Sequence, residues 1–196
     1  MKVEDIAEQL ATSTLCVSPG FLSSAEVRAL RDAAEARDRA GELRPAAVGR
    51  GGGKVARASI RGDRIGWLDG TESGALGQWR ERIDALRLAI NERTFAGLFD
   101  WEGHVACYAP GAGYERHRDV FRDDSARVLS CVLYLNPGWD PADGGQLRAW
   151  CEDGVVDVVP EGGTLVTFWS AELDHAVLPA RRDRWTITGW FRTRQP

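Results

Sequence analysis

The sequence predicts a mainly β fold, a double-stranded β-helix (jelly roll), supported by N-terminal α-helices. Two observations carry this prediction. Residues 1–98 contain the segments with helical character, whereas from Trp101 onward the chain is a series of short strands separated by glycine- and proline-rich turns. A chain of 196 residues without internal repeats can bury one substantial core. We therefore expect a single domain over 1–196, with helical support over 1–98 and a jelly-roll core over about 99–194.

Two helices are predicted in the first half. Ser23 and Glu26 form a possible capping box at the start of a segment rich in Ala, Glu and Arg, and that segment stops near Gly41 and Pro45. A second helix follows from one apolar stripe at spacings of three and four residues, which is made by Leu76, Trp79, Ile83, Leu86 and Ile90. A helix that is apolar on one side needs a partner surface, which here is most simply a sheet.

Between these helices lies the segment GRGGGKVARASIRGDRIGWLDG, residues 49–70. Its three consecutive glycines, Gly51–Gly53, predict a mobile loop tip between two short strands, and a plain flexible hairpin is the alternative.

Seven strands are predicted after Trp101, each rich in Val, Leu, Thr or aromatic residues. They are HVACYAP, ARVLSCVLYLNP, GQLRAWC, GVVDVVP, GTLVTFWS, HAVLP and RWTITGWFRT. Evenly spaced strands of this kind are typical of an antiparallel sandwich or barrel.

Composition excludes several classes of function. The net charge of −4 and the dispersed arginines argue against nucleic-acid binding, and no apolar run is long enough to span a membrane. The N-terminus MKVEDIAEQL lacks the apolar centre of a signal peptide. The four cysteines could form two disulfides, but without a signal peptide we expect reduced, buried thiols in a cytoplasmic protein. A monomer is expected.

The candidate metal ligands are His117, Asp119 and His175. The spacing of His117 and Asp119 is compatible with chance, but on a strand residues two apart point to the same face. His175, which opens a later strand, supplies a third ligand. Two histidines and one carboxylate leave three positions open on Fe(II), although a hydrolytic zinc site also uses three protein ligands.

The last predicted strand carries Arg184, nine residues after His175. Arg184 alternates with Thr186, Thr188 and Trp190 onto one face of that strand. A buried arginine is costly unless it pairs with an anion, and its guanidinium suits a carboxylate bidentately. A surface arginine on an edge strand is the alternative.

Five motifs between about Arg61 and Arg192 occur in a fixed order and cover about two thirds of the chain: IRGDRIGWLDG, VACYAPGAGYERHRD, CVLYLNPGWDPADGGQLR, FWSAELDHAVLPA and RWTITGWF. In these motifs the segment closely resembles the 2-oxoglutarate-dependent prolyl hydroxylases of the hypoxia-sensing type and their bacterial relatives. The resemblance implies that His117, Asp119 and His175 bind Fe(II), that 2-oxoglutarate and O2 are cosubstrates, and that ascorbate can serve as an accessory reductant.

The resemblance also implies residue roles around the metal. Arg184 would hold the distal carboxylate of 2-oxoglutarate, and Tyr134 would donate its phenol to the same group. Five further residues would line the cosubstrate and substrate pocket: Tyr108, Val132, Leu147, Thr188 and Trp190. Arg61 and Asp63 fall where the family's mobile strand and loop fold over a bound peptide. His104 departs from the pattern and is expected to be a hydrogen-bonded wall residue, with a fourth polar group beside the iron as the alternative.

The function that the resemblance implies is hydroxylation of a prolyl residue in a protein. Analogy with the bacterial relatives suggests translation elongation factor Tu as the substrate. Hydroxylation of a free amino acid or another small molecule remains an alternative, although the long glycine-rich loop favours a polypeptide. A barrel that binds a partner without turnover is the alternative from another class, and nucleic-acid demethylation is disfavoured by the charge.

Overall fold

A computed structural model describes residues 2–46, 60–120 and 126–194 of the chain. The elements of the first half are α1 (Val3–Leu10), β1 (Leu15–Ser18), α2 (Ser24–Arg39), β2 (Arg44–Pro45), β3 (Asp63–Leu68) and α3 (Gly74–Thr94). The second half contains β4 (Asp100–Tyr108), β5 (Tyr114–His117), β6 (Arg127–Tyr134), β7 (Leu147–Cys151), β8 (Gly154–Val158), β9 (Leu165–Trp169), β10 (Asp174–Val177) and β11 (Arg184–Arg192).

The strands form two antiparallel sheets. Within the described residues the major sheet has the order β1-β9-β6-β11-β4-β3-β2, and the minor sheet has the order β5-β10-β7-β8. This is the predicted jelly roll with N-terminal helices.

The predicted helix signals are confirmed. The Ser23 hydroxyl accepts a hydrogen bond from the Glu26 amide, and the Glu26 carboxylate accepts one from the Ser23 amide at 2.8 Å. Helix α2 ends at Arg39, and Gly41 takes a positive φ of 74° just beyond it. All five apolar residues of the predicted α3 stripe are buried.

The major sheet separates two cores because side chains alternate along its strands. One face of the major sheet packs against the three helices. On β11 the side chains on this face are Trp185, Ile187 and Phe191, which belong to one core with the buried residues of the helices. The opposite face, with Val132 and Tyr134 of β6, packs against the minor sheet. The helices therefore cover one side of the major sheet, and the cavity described below lies on the other.

Helix α1 was not among the two predicted helices, and three details of the strands and loops differ from the prediction or fall outside the described residues. Strand β1 was not predicted, because its four residues join the major sheet only through a distant partner, β9. The strands flanking the glycine-rich loop do pair, as β2 with β3, but the tip Gly51–Gly53 lies outside the described residues. The assumption that His117 and Asp119 share a strand is wrong, since β5 ends at His117 and Asp119 lies in the bend that follows.

The cysteines are free thiols, as expected, with Cys16, Cys107 and Cys131 buried. None of the helices in the described part of the chain has the length and apolar character needed to cross a membrane.

Candidate metal centre

Three potential metal ligands converge at one end of the minor sheet. His117 on β5 lies directly opposite His175 on β10 in the antiparallel register, and their ring centroids are 4.2 Å apart. Carboxylate oxygens of Asp119 lie 3.5 Å from Nε2 of His117 and 3.7 Å from Nε2 of His175. All three ligand atoms lie within 4.8 Å of one another, which is close enough to share one ion.

Backbone carbonyls fix the orientation of both imidazoles. Nδ1 of His117 donates to the Glu115 carbonyl at 2.7 Å, and Nδ1 of His175 donates to the Leu173 carbonyl at 3.3 Å. Each ring then presents the lone pair of Nε2 toward Asp119, which is the arrangement that metal-bound histidines adopt. Burial is the main cause that lowers the pKa of His175, so its imidazole stays neutral and able to coordinate.

Ser130, on β6 of the major sheet, holds the Asp119 carboxylate in place. The carboxylate accepts a hydrogen bond from the Ser130 hydroxyl at 2.7 Å, and the Ser130 hydroxyl also lies 2.8 Å from that of Ser170. Burial alone raises the pKa of Asp119, but the two histidines and Ser130 together hold that pKa well below its usual range. The carboxylate is therefore a preformed anion, as a hard cation requires.

A β-bulge brings Tyr114 to the same place. His175 pairs with His117 and Val177 pairs with Tyr114, so two steps on β10 oppose three on β5. Because of the extra residue, Tyr114 and His117 stack, with ring centroids 3.6 Å apart at 19°. Tyr114 was not predicted as a site residue, because on a regular strand a residue three positions before His117 would point to the opposite face.

Arg184 lies at the far end of the same cavity as a buried cation. Its side chain is 1% exposed, its Nε donates to the Gly145 carbonyl at 2.8 Å, and its Nη2 has no hydrogen-bond partner among the described residues. The guanidinium lies 5.3 and 5.1 Å from the ring centres of Tyr108 and Tyr134. No carboxylate in the described part of the chain pairs with it, so the charge calls for an anion from outside.

The Tyr134 hydroxyl is the second unpartnered donor beside this arginine. It is fully buried and makes no hydrogen bond within the described residues. Burial raises the pKa of Tyr134 to about 12 against the opposing effect of Arg184, so the phenol keeps its proton. The Nη2 of the Arg184 cation and the O–H of Tyr134, both unpartnered among the described residues, together fit a carboxylate.

The remaining predicted pocket residues line the same cavity as the three ligands. They are Tyr108, Val132, Leu147, Thr188 and Trp190, and the cavity wall also includes Tyr114 and Val177. Arg184 and Trp190 lie near opposite ends of β11, and both line the cavity. The alternation along this strand predicted that they share one face.

Arg61 and Asp63 lie at the cavity wall, where they pair with each other. Nε and Nη2 of Arg61 donate to the two carboxylate oxygens of Asp63 at 2.7 and 2.9 Å, and the Asp63 side chain is fully buried. The segment 60–62 is also tied to β5, since the Gly62 amide donates to Gly113 and the Glu115 amide donates to Ile60. These backbone hydrogen bonds fasten the segment 60–62 to the strand that carries His117, and the Arg61–Asp63 ion pair links the segment to the start of β3.

His104 lines the cavity, but the expectation of a hydrogen-bonded wall residue is wrong. Neither ring nitrogen has a hydrogen-bond partner within the described residues, although the side chain is 1% exposed. The neighbours of the ring are aromatic, with Trp67 and Trp190 at centroid distances of 5.0 and 5.5 Å.

Residues 103–192 match the profile of the 2OG-Fe(II) oxygenase superfamily. Among proteins of known sequence, the chain is 36% identical to Egl nine homolog 1 of Homo sapiens over 143 residues. That match covers 67% of this chain and 33% of the human protein, so the chain spans about a third of that relative's length.

Two solved structures are similar over nearly the whole chain. A prolyl-4-hydroxylase of Pseudomonas putida is 47% identical with a TM-score of 0.90, and the match covers 98% of this chain and 100% of that one. A prolyl hydroxylase of Trichoplax adhaerens, solved with a hypoxia inducible factor peptide fragment, is 31% identical with a TM-score of 0.86, and the match covers 97% and 90%.

Proposed function

Since the chain belongs to the 2OG-Fe(II) oxygenase superfamily and is related to the prolyl hydroxylases, we propose that it hydroxylates a prolyl residue in a protein substrate. Family membership implies Fe(II) and 2-oxoglutarate, and the residues present fit both. The observation that carries the proposal is one cavity that is lined by a His-Asp-His cluster and, apart from it, by the buried Arg184. Beside this arginine lies Tyr134, and within the described residues both side chains have a donor atom without a partner.

In the proposed reaction the side chains hold and orient the reactants. His117, Asp119 and His175 would hold iron and leave its other positions open. Arg184 and Tyr134 would hold the distal carboxylate of 2-oxoglutarate. When bound, iron and 2-oxoglutarate supply, with O2, the chemistry that converts a proline C–H bond to C–OH while 2-oxoglutarate becomes succinate and CO2.

Pocket side chains are proposed to exclude water from these reactants. Val132 and Leu147 are apolar, Tyr108 covers one side of the Arg184 guanidinium, and Trp190 covers the other end of the cavity. A dry site strengthens the pairing of Arg184 with a carboxylate and protects reactive species from side reactions. No side chain is required as a general base.

A protein substrate is supported by the wall near the cavity mouth. Trp67, which is 48% exposed and packs against His104 of the cavity wall, offers a contact surface beyond the cavity, which a free amino acid would not need. The Trichoplax adhaerens relative was solved in complex with a peptide fragment of hypoxia inducible factor. Elongation factor Tu is the substrate we put forward, on the resemblance to bacterial relatives, and a cytoplasmic location follows from that choice.

The test is a mass-spectrometric search for prolyl residues that have gained one oxygen (+16 Da). The protein is incubated with Fe(II), 2-oxoglutarate and either a desalted bacterial lysate or purified elongation factor Tu. The wild-type protein should produce hydroxyproline, and His117→Ala should produce none. If the wild type released succinate but modified no protein, a small-molecule substrate would be favoured. If it released no succinate with any added substrate, the chain would be a binding module.

A further inference from the structure

His104 is the one histidine of the chain outside the metal centre, and its imidazole is buried without any hydrogen-bond partner among the described residues. A buried polar group of this kind costs folding free energy unless a ligand supplies the missing hydrogen bonds. A wall residue with only a packing role could be apolar at no such cost. The ring therefore calls for a functional explanation.

The sheet register places His104 on the cavity face. His104 on β4 pairs with Thr188 on β11 on one side and with Trp67 on β3 on the other, and Thr188 in turn pairs with Val132 on β6. Paired residues on adjacent strands point to the same face of a sheet, so these four side chains form one row. His104, Thr188 and Val132 all line the cavity that contains the metal ligands.

Two tryptophans flank the His104 ring, one of them exposed to solvent and the other in the cavity wall. Trp67 is 48% exposed, whereas Trp190 is 4% exposed and its Nε1 is also unpartnered within the described residues. Their rings are 6.4 Å apart, with His104 in contact with both. Aromatic faces of this kind receive proline-containing chains in other recognition grooves.

The charge state of His104 decides what it can bind. Burial, reinforced by Arg61 and Arg127, lowers the pKa of His104 well below its ordinary value, so the ring is neutral. A neutral imidazole offers one N–H donor and one lone-pair acceptor. 2-Oxoglutarate carries only acceptors in its ionised form and would leave the acceptor nitrogen unpaired, whereas a peptide backbone carries both C=O and N–H groups.

We propose that His104 binds the backbone of the polypeptide substrate beside the target proline, accepting from one N–H and donating to one C=O, between Trp67 and Trp190. This inference rests on the proposed function and specifies the part of the cavity that receives the polypeptide. It assigns the unpartnered histidine to substrate binding and leaves cosubstrate binding to Arg184 and Tyr134.

Two variants of the full chain test the assignment. His104→Met fills a similar volume without a strong donor or acceptor, and His104→Gln keeps one side-chain acceptor and a donor. The probe is elongation factor Tu, or, if the wild type leaves it unmodified, the lysate protein that acquires hydroxyproline in the experiment above. The measurements are the KM of each enzyme variant for this substrate protein, its KM for 2-oxoglutarate, and the Tm of the variant without substrates.

For His104→Met we expect KM for the protein substrate to rise on the order of ten-fold, KM for 2-oxoglutarate to change less than about two-fold, and Tm to rise by about 2–4 °C. His104→Gln should restore a large part of the protein KM. The Tm rise is expected because the variant no longer buries unpaired polar atoms, and a purely structural role would lower Tm instead.

Two results would overturn the assignment. If KM for 2-oxoglutarate rose while that for the protein stayed constant, His104 would contact the cosubstrate. If neither KM changed, the ring would be a packing residue. Failure of the proposed function is separate, because it would appear as a wild-type protein that hydroxylates no polypeptide.

Discussion

Replacing Arg184 should damage 2-oxoglutarate binding far more than metal binding. The variant Arg184→Gln keeps a polar side chain but removes a charge that is 1% exposed and, among the described residues, has only the Gly145 carbonyl as a hydrogen-bond partner. Truncating one partner of a buried charge pair typically costs about 2–5 kcal/mol, largely because the other charge is left buried and unpaired. At about 1.4 kcal/mol per factor of ten, KM for 2-oxoglutarate should rise about 30-fold to a few thousand-fold.

The size of the loss should depend on geometry as well as on charge. Arg184→Lys keeps the charge but replaces the planar fork with a single ammonium group, so its KM should lie between those of the wild type and Arg184→Gln. Tyr134→Phe removes the second donor, a neutral hydroxyl, and should raise KM only about 5- to 10-fold. The double variant should show a non-additive effect because both donors would meet the same carboxylate.

The assay is succinate release over a 2-oxoglutarate titration, paired with Mn(II) binding measured by calorimetry, which should stay within about three-fold of wild type. Arg182→Ala is the matched control, because Arg182 is half-exposed, pairs loosely with Asp143 at 3.6 Å and lies on a turn. An unchanged KM in Arg184→Gln, or a larger effect in Arg182→Ala, would refute the assignment of Arg184 as the carboxylate-binding cation.

Four further outcomes are expected. His175→Ala should abolish both metal binding and 2-oxoglutarate turnover while far-UV circular dichroism stays native, and turnover restored by added iron would contradict the ligand assignment. Ser130→Ala should weaken Mn(II) binding about 10- to 100-fold, because it removes the hydroxyl that orients Asp119; equal affinity would show that the carboxylate needs no such support. Asp63→Asn leaves Arg61, whose side chain is 15% exposed, without its counter-charge. It should raise KM for the protein substrate more than it slows succinate release without substrate, and equal losses would indicate a purely structural pair. Because the pKa of His104 is lowered by burial and two nearby guanidinium groups, the unfolded chain takes up a proton below about pH 6.5 that the folded chain does not. The unfolding free energy of the wild type should therefore fall by up to about 1.4 kcal/mol per pH unit from pH 6.5 to 5, relative to His104→Met, in urea titrations.

Local patterns predicted the parts of the fold that depend on local interactions. The α3 stripe and the Ser23–Glu26 capping box involve residues three or four positions apart, so the sequence alone contains the interaction. The alternation on β11 likewise placed Arg184 and Trp190 on one face before any partner strand was known. Strand β1 could not be found in this way, because its pairing with β9 joins residues about 150 positions apart.

The site was predicted where residue type alone carries the chemistry, and was missed where long-range contacts decide. A histidine, an aspartate and a second histidine are recognisable ligands, but the reason given for their convergence was wrong, since Asp119 follows the strand and is held by Ser130. A serine has no metal-binding signature in a sequence. The mutual pairing of Arg61 with Asp63 and the unpartnered ring of His104 also depend on burial, which the motifs do not encode.

The bulge in β5 limits how this region can change in length during evolution. Because three residue steps from Tyr114 to His117 oppose two steps on β10, gaining or losing a single residue there would turn His117 away from its cross-strand neighbour. Such a change would separate the two imidazoles even if every side chain in the segment were kept. Homologous chains that bind metal in the same way should therefore keep the number of residues between these positions constant, and should place insertions and deletions in the turn at Pro110–Gly111 instead.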